Sequence, residues 1–162
     1  MSLAQHVGEQ GEHALTRTIE VRDHAIDAAC TLLNGVRSDQ LDDALVAVER
    51  ADLLVVATPV YNGSYSGLFK SFVDLLDPGA LLGTPVVLGA TGGSLRHSLV
   101  VDQELRPLFS FFQAAPVATG VFATNEDWRA PGVPDAALAA RIDRAAWEAA
   151  STAALGSRTT TS

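Results

Sequence analysis

The residues best suited to chemistry stand in two loops, each following a short apolar run. The first is Thr58-Pro59-Val60-Tyr61-Asn62-Gly63-Ser64-Tyr65, which offers aromatic rings, backbone donors and a carboxamide. The second is Thr91-Gly92-Gly93-Ser94, where two residues without a Cβ let a ligand come close to the backbone. Each loop leads into a helical pattern, whose first amides favour an anion or a ring becoming anionic. Such loops suit a flat, polar ligand. His97 has no second residue at metal-ligand spacing, so no metal site is expected.

The elements that must position these loops read as alternating strands and helices. Residues 53–57 form a continuous Leu/Val run, too short for a helix, as expected of a strand buried on both faces of a parallel sheet. Pro59 is expected to stop it, and Asn62-Gly63 marks a turn. Leu68, Phe69, Phe72, Val73, Leu75 and Leu76 then recur at helical spacing until Pro78-Gly79. Residues 86–90 repeat the buried-strand pattern. A long helix is expected from about His97 to Gln113, kinked or broken by Pro107. Residues 116–123 read as a third apolar strand, 124–134 as a loop containing Trp128, and 135–155 as an amphipathic helix before a disordered polar tail, 156–162.

Upstream, residues 3–15 are weakly helical and 16–22 alternate like a short strand around Ile19 and Val21. Residues 25–33 form a short apolar helix closed by Asn34-Gly35, and Ser38 caps another that runs to about Arg50. The alternation predicts an α/β doubly wound parallel sheet with helices on both faces, as a single domain over residues 1–155. Ligands bind such sheets at the carboxyl ends of the strands, where both loops lie. From residues alone this is a nucleotide or flavin cleft of open chemistry.

Composition narrows the class. The chain has 162 residues and a net charge of −8, which argues against a nucleic-acid surface. Its single cysteine, Cys30, excludes an intrachain disulfide and reads as a small buried hydrophobe rather than a reactive thiol. No apolar run approaches the roughly 20 residues of a membrane span, and no basic start precedes an apolar core, so a cytoplasmic protein is expected.

At this level of detail a family resemblance emerges. Thr58-Pro59-Val60-Tyr61, Tyr65-Ser66-Gly67, Lys70 and Asp74-Leu75-Leu76 resemble the NAD(P)H-dependent FMN reductases of flavodoxin-like fold. So do Leu81, Gly83, Ala90-Thr91-Gly92-Gly93, His97, Val101-Asp102, Leu105, Pro107 and Gly120-Val121-Phe122-Ala123, in the same order. The chain is most similar to the reductases that supply reduced FMN to a separate luciferase-like flavin monooxygenase, as in alkanesulfonate use. The resemblance implies that Pro59, Val60, Tyr61 and Asn62, with Thr58 and Tyr65 beside them, line the isoalloxazine and ribityl chain, largely through backbone groups. It implies that Thr91, Gly92 and Gly93, followed by Ser94, hold the pyrimidine edge. NADPH or NADH would stack on the exposed ring face and pass hydride to it, a transfer that needs no catalytic side chain. Homodimers or homotetramers built on the long helix are also implied.

Plainer roles stand beside these. Tyr61 and Tyr65 also read as rim aromatics, and His97 as a helix-start residue or a contact to phosphate or pyridine. Lys70 and Asp74, four apart, read as a surface pair, and Asp102 and Glu104 as a solvated or interface face. Trp128 reads as a flavin cover or a subunit contact, and Arg96 and Arg129 are the candidates for a 2′-phosphate clamp. Gln103 stands where some family members carry an aromatic residue.

The family begins with a strand and a Ser-, Arg- and Thr-rich loop around the FMN phosphate; here Met1 falls inside the first helix instead. The absent strand would be central, between those at 16–22 and 53–57 in the order 2-1-3-4-5. Losing its hydrogen bonds, at about 0.5–1.5 kcal/mol each, together with the cover it gives the buried faces, rivals a domain's stability of about 5–15 kcal/mol. An upstream start is therefore expected; a borrowed or re-paired strand and a degenerate copy are the other readings, and weak FMN binding is expected of the chain as written. Three functions remain: an NAD(P)H:FMN oxidoreductase, a non-catalytic flavin- or partner-binding module, and a quinone or azo-compound reductase with tightly held FMN.

Overall fold

A computed structural model describes residues 15–159, with side chains described through residue 154. The expected helix at 3–15 therefore falls almost wholly outside the described residues.

The Val- and Leu-rich runs become parallel strands, as runs without a polar face are expected to; the 85–90 run is buried throughout, whereas the 53–57 run, expected to be buried on both faces, leaves Val55 and Val56 half-buried and Ala57 exposed. β1 (Leu54–Tyr61) pairs with β3 (Pro85–Thr91) in parallel, and β3 pairs in parallel with β4 (Ala115–Pro116) and β5 (Val121–Ala123). A short β2 (Ser64–Tyr65) turns back antiparallel on the outer edge of β1. On one face of this sheet Val86, Leu88 and Ala90 pack with α2 (Asp39–Glu49), α3 (Gly67–Val73) and α4 (Arg106–Phe111) through Leu41, Leu45, Phe69, Phe72 and Phe109. On the other, Val87, Val121 and Ala123 pack with α5 (Ala136–Thr159) through Leu138, Ile142 and Ala145. Alternate residues of β3 thus feed opposite cores.

Local signals are obeyed where they are local. The Ser38 hydroxyl accepts the Leu41 N–H and caps α2. Gly35, at φ 74°, closes α1 (Ala25–Asn34) in the left-handed conformation. Elsewhere, tertiary partners override the sequence. Residues 16–22 are not a strand: the segment ends in a 3₁₀ turn, Val21–His24, with Ile19 and Val21 resting on the core and Arg17 paired with Asp43. Extended backbone becomes a strand only beside another, and no described strand lies there. β1 in turn runs through Pro59 to Tyr61. Among the described residues its edge over 54–59, on the side away from β3, has no partner, and proline is tolerated on such an edge.

The helix expected over 97–113 is broken into a 3₁₀ turn, Leu95–His97, a π-turn, Val101–Leu105, and α4. Pro107 has no N–H and would press on the carbonyl four residues back. The wider π-turn, in which the Arg106 amide reaches the Val101 carbonyl, takes up that crowding. The third strand is split because side chains satisfy its middle. Arg106 donates to the carbonyls of Val117 and Ala118 at 2.9 and 3.3 Å, and Glu148 accepts from Thr119 N and Oγ1, both at 2.7 Å. α5 continues past Gly156 to Thr159, since one glycine weakens a helix without ending it. Cys30 is exposed rather than buried, because Ala28 is the one residue of α1 that is fully covered. No described helix is long and apolar enough to cross a membrane.

A Cβ at Gly120 would stand 2.5 Å from Val101 Cγ1, and Val101 is stiff and buried. Gly120→Ala should cost about 1–3 kcal/mol by overpacking, read by urea unfolding, and adding Val101→Ala should lose less than the sum of the single changes. Burial tends to raise the Glu148 carboxyl, but the Thr119 hydrogen bonds and Arg144 outweigh it and hold it below the usual glutamate range. A depressed carboxyl contributes stability above its unfolded value, about 4.3, and loses it as pH falls through the lower folded value. The stability gap between wild type and Glu148→Gln should therefore shrink as acid is added through that range.

Candidate functional site

The register places the site. β1 and β3 are paired from Leu54↔Val86 to Pro59↔Thr91, so the segments beyond the last pair leave the sheet on the same side. Pairing of Thr91 with Ala123 brings the 124–134 segment to the same end.

The first loop is a tight hairpin. Asn62 and Gly63 both have positive φ, 51° and 88°, as a two-residue type I′ connection requires. Tyr61 is 63% exposed and Pro59 is exposed, while Val60 is half-buried against the core. Thr58 does not face the cleft: it is 2% exposed, its hydroxyl accepting the Ser66 N–H at 3.1 Å and donating to the Pro59 carbonyl. Ser66 in turn caps α3 through the Phe69 N–H. Tyr65 also turns inward, its ring 6.0 Å from Phe69, which lies 6.3 Å from Phe109. Ser64 donates to Glu104 of the π-turn at 3.2 Å, a tie between hairpin and helix that no local pattern announces.

In the second loop Thr91 and Gly93 are exposed, and a Cβ at Gly93 would meet nothing within 4 Å. The Gly92 amide donates to the Ala123 carbonyl at 3.0 Å, and the Ser94 hydroxyl accepts the Arg96 N–H. Trp128, 36% exposed, starts a hairpin of β6 (Trp128–Ala130) and β7 (Val133–Pro134). A reciprocal cap between Thr124 and Asp127 holds its base. Arg17, Arg22, Arg37, Lys70 and Arg106 are all ion-paired, Lys70 with Asp74 and Arg106 with Asp102. Arg96 and Arg129 have no ion-pair partner among the described residues. No group of three or more His, Cys, Asp or Glu among them could hold a metal ion.

Residues 1–129 match the model of the NADPH-dependent FMN reductase family. The chain belongs to this family. It is 48% identical over 135 residues to an FMN reductase (NADPH) of Pseudomonas aeruginosa, covering 83% of this chain and 73% of that protein. It is 49% identical over 132 residues to the NADH-dependent FMN reductase SfnF of Pseudomonas fluorescens, covering 82% and 71%. A solved oxidoreductase from Corynebacterium diphtheriae superposes with a TM-score of 0.84 at 43% identity, over 94% of this chain and 82% of that one. The fold is the flavodoxin-like α/β arrangement that the family resemblance implies.

The two loops present mainly backbone and one exposed ring at the carboxyl ends of their strands. The space over Gly93 is open, the ring of Tyr61 is exposed, and the hairpin turns at Asn62-Gly63. The loop expected around the FMN phosphate has no counterpart among the described residues. Of the residues singled out from sequence, Pro59 is paired with Thr91 and Val60 lies beside Gly92, while Tyr61, Asn62 and Gly93 are exposed in the same two loops. Thr58, Tyr65 and Ser94 serve the loops themselves. Thr58→Val should leave the buried Ser66 N–H unpaired and cost about 1–3 kcal/mol, measured by urea unfolding at neutral pH.

Proposed function

We propose that this chain passes hydride from NADPH or NADH to FMN and releases the reduced flavin to a flavin-dependent monooxygenase. The observation that carries the reading is the pairing of Pro59 with Thr91, which sets two backbone-lined loops beside one slot in a chain of the FMN reductase family. FMN, when bound there, supplies a ring nitrogen that accepts hydride. The chain's own residues would hold the pyrimidine edge of the ring through Thr91, Gly92 and Gly93, and line the isoalloxazine and ribityl chain through Pro59, Val60, Tyr61 and Asn62. Two rings held in contact need no acid or base from the protein, so the rate comes from alignment and from amides facing the charge that develops. We assign no catalytic side chain. Exposed Leu99 and Phe111, flanking the π-turn, supply an apolar face suited to a homodimer or homotetramer. A reaction that draws on the NAD(P)H pool suits the cytoplasm.

The test is nicotinamide oxidation followed by absorbance, with and without free FMN. Turnover that rises with free FMN supports the reading. FMN binding without turnover would make the chain a flavin-holding module, and faster reduction of a quinone than of free FMN would make it a quinone reductase. Arg96 and Arg129 suit the dinucleotide phosphates. Replacing either with Ala should raise the KM for NADPH roughly fivefold, the equivalent of about 1 kcal/mol for an exposed pair, and the KM for NADH less.

A further inference from the structure

Glycine at position 92 is not explained by its backbone. Among the described glycines, positive φ belongs to Gly35, Gly63, Gly83 and Gly132. What excludes a side chain at 92 is a neighbour. A Cβ there would stand 2.9 Å from Phe122 Cζ and 3.4 Å from its Cε2, with Val60 Cβ at 3.7 Å. Such proximity to a ring cannot be absorbed without a shift of either the ring or the loop.

Phe122 comes from β5, paired opposite Ala90, and its half-buried ring packs on the face away from α5. Val121 and Ala123 face α5 instead. The ring therefore ends against the backbone of the second loop, and Val60 of the first loop approaches the same spot. The Gly92 amide is tied to the Ala123 carbonyl, so this one residue is held both by a hydrogen bond and by a packed ring. One residue further on, the space over Gly93 is open.

We propose that Phe122 is a positioning residue for the flavin ring: by filling the space a side chain at Gly92 would need, beside Val60, it sets the height of the 91–94 loop against the 58–65 loop. This rests on the reading of the cleft as the flavin slot. A bulkier residue at 92 lifts the loop, and a smaller one at 122 lets it sink. Either change misplaces the groups that meet the ring edge, and small misplacements are costly when two rings must align.

The experiment is a cycle of Gly92→Ala, Phe122→Leu and the double variant in the full chain. FMN is titrated by fluorescence quenching, KM is measured for FMN and for the nicotinamide, and melting is recorded for each protein. Gly92→Ala is expected to weaken FMN binding about tenfold or more, with the nicotinamide KM within about twofold of wild type. Phe122→Leu in that background is expected to restore at least about threefold of the loss, because the shorter side chain vacates the contested space. If Phe122→Leu does not fold, Phe122→Met replaces it. Wild-type FMN binding by Gly92→Ala, additive losses in the double variant, or FMN affinity that merely tracks melting temperature would each overturn the inference. A wild-type chain that binds no FMN would overturn the functional reading itself, before any variant is made.

Discussion

The parallel ladder between β1 and β3 is the constraint on which the rest of the molecule depends. Six residue pairs, from Leu54↔Val86 to Pro59↔Thr91, lock the two strands in one register. A slip of one residue would turn Val86 and Leu88 toward α5 and Val87 toward α3 and α4, exchanging the contents of two filled cores. Because the strands are parallel, their connection must cross the sheet through α3, and both must end on the same side. The two loops that would wall the proposed cleft are thus set side by side by topology.

Within those walls, the polar side chains mostly serve the protein. Thr58 and Ser66 bond each other and the start of α3; Ser94 caps the turn that follows its loop; Thr124 and Asp127 close on one another. Each such bond contributes only about 0.5–1.5 kcal/mol net, but together they leave the loops little freedom. What remains for a ligand is main chain, glycine space and the exposed ring of Tyr61. A site of that kind suits a reaction in which the protein aligns two rings and contributes no proton.

Two glycines on this side of the sheet answer to packing rather than to dihedral angle. Gly120 admits Val101 of the π-turn, and Gly92 admits Phe122. The π-turn also reaches the hairpin through Glu104 and Ser64, while Tyr65, Phe69 and Phe109 form a row of tilted rings beneath it. The helix broken ahead of Pro107 is therefore fitted to the start of β5 through Gly120 and to the first loop through Ser64.

By itself the sequence determined whatever depends on near neighbours along the chain. The Leu/Val runs could only be strands, though only β3 is covered on both faces; β1 leaves Val55 and Val56 half-buried and Ala57 exposed. Ser38 and Gly35 marked helix ends, Asn62-Gly63 marked a turn, and Thr91-Gly92-Gly93 marked a close approach to backbone; the ordered family motifs supplied the flavin reductase reading. Only the tertiary structure decided whatever needs a partner from afar. Residues 16–22 have a strand's pattern but no neighbouring strand to bond, and β1 passes through Pro59 because that edge is free of other described strands. The third strand breaks because Arg106 and Glu148 bond its backbone, and Thr58 and Tyr65 turn inward because Ser66 and Phe69 receive them. Phe122 stood in a family motif, but its neighbour Gly92, 30 residues earlier in the chain, could not be read from the sequence. Periodicity and capping are properties of a few adjacent residues, whereas hydrogen-bond satisfaction and packing belong to whichever groups the fold brings together.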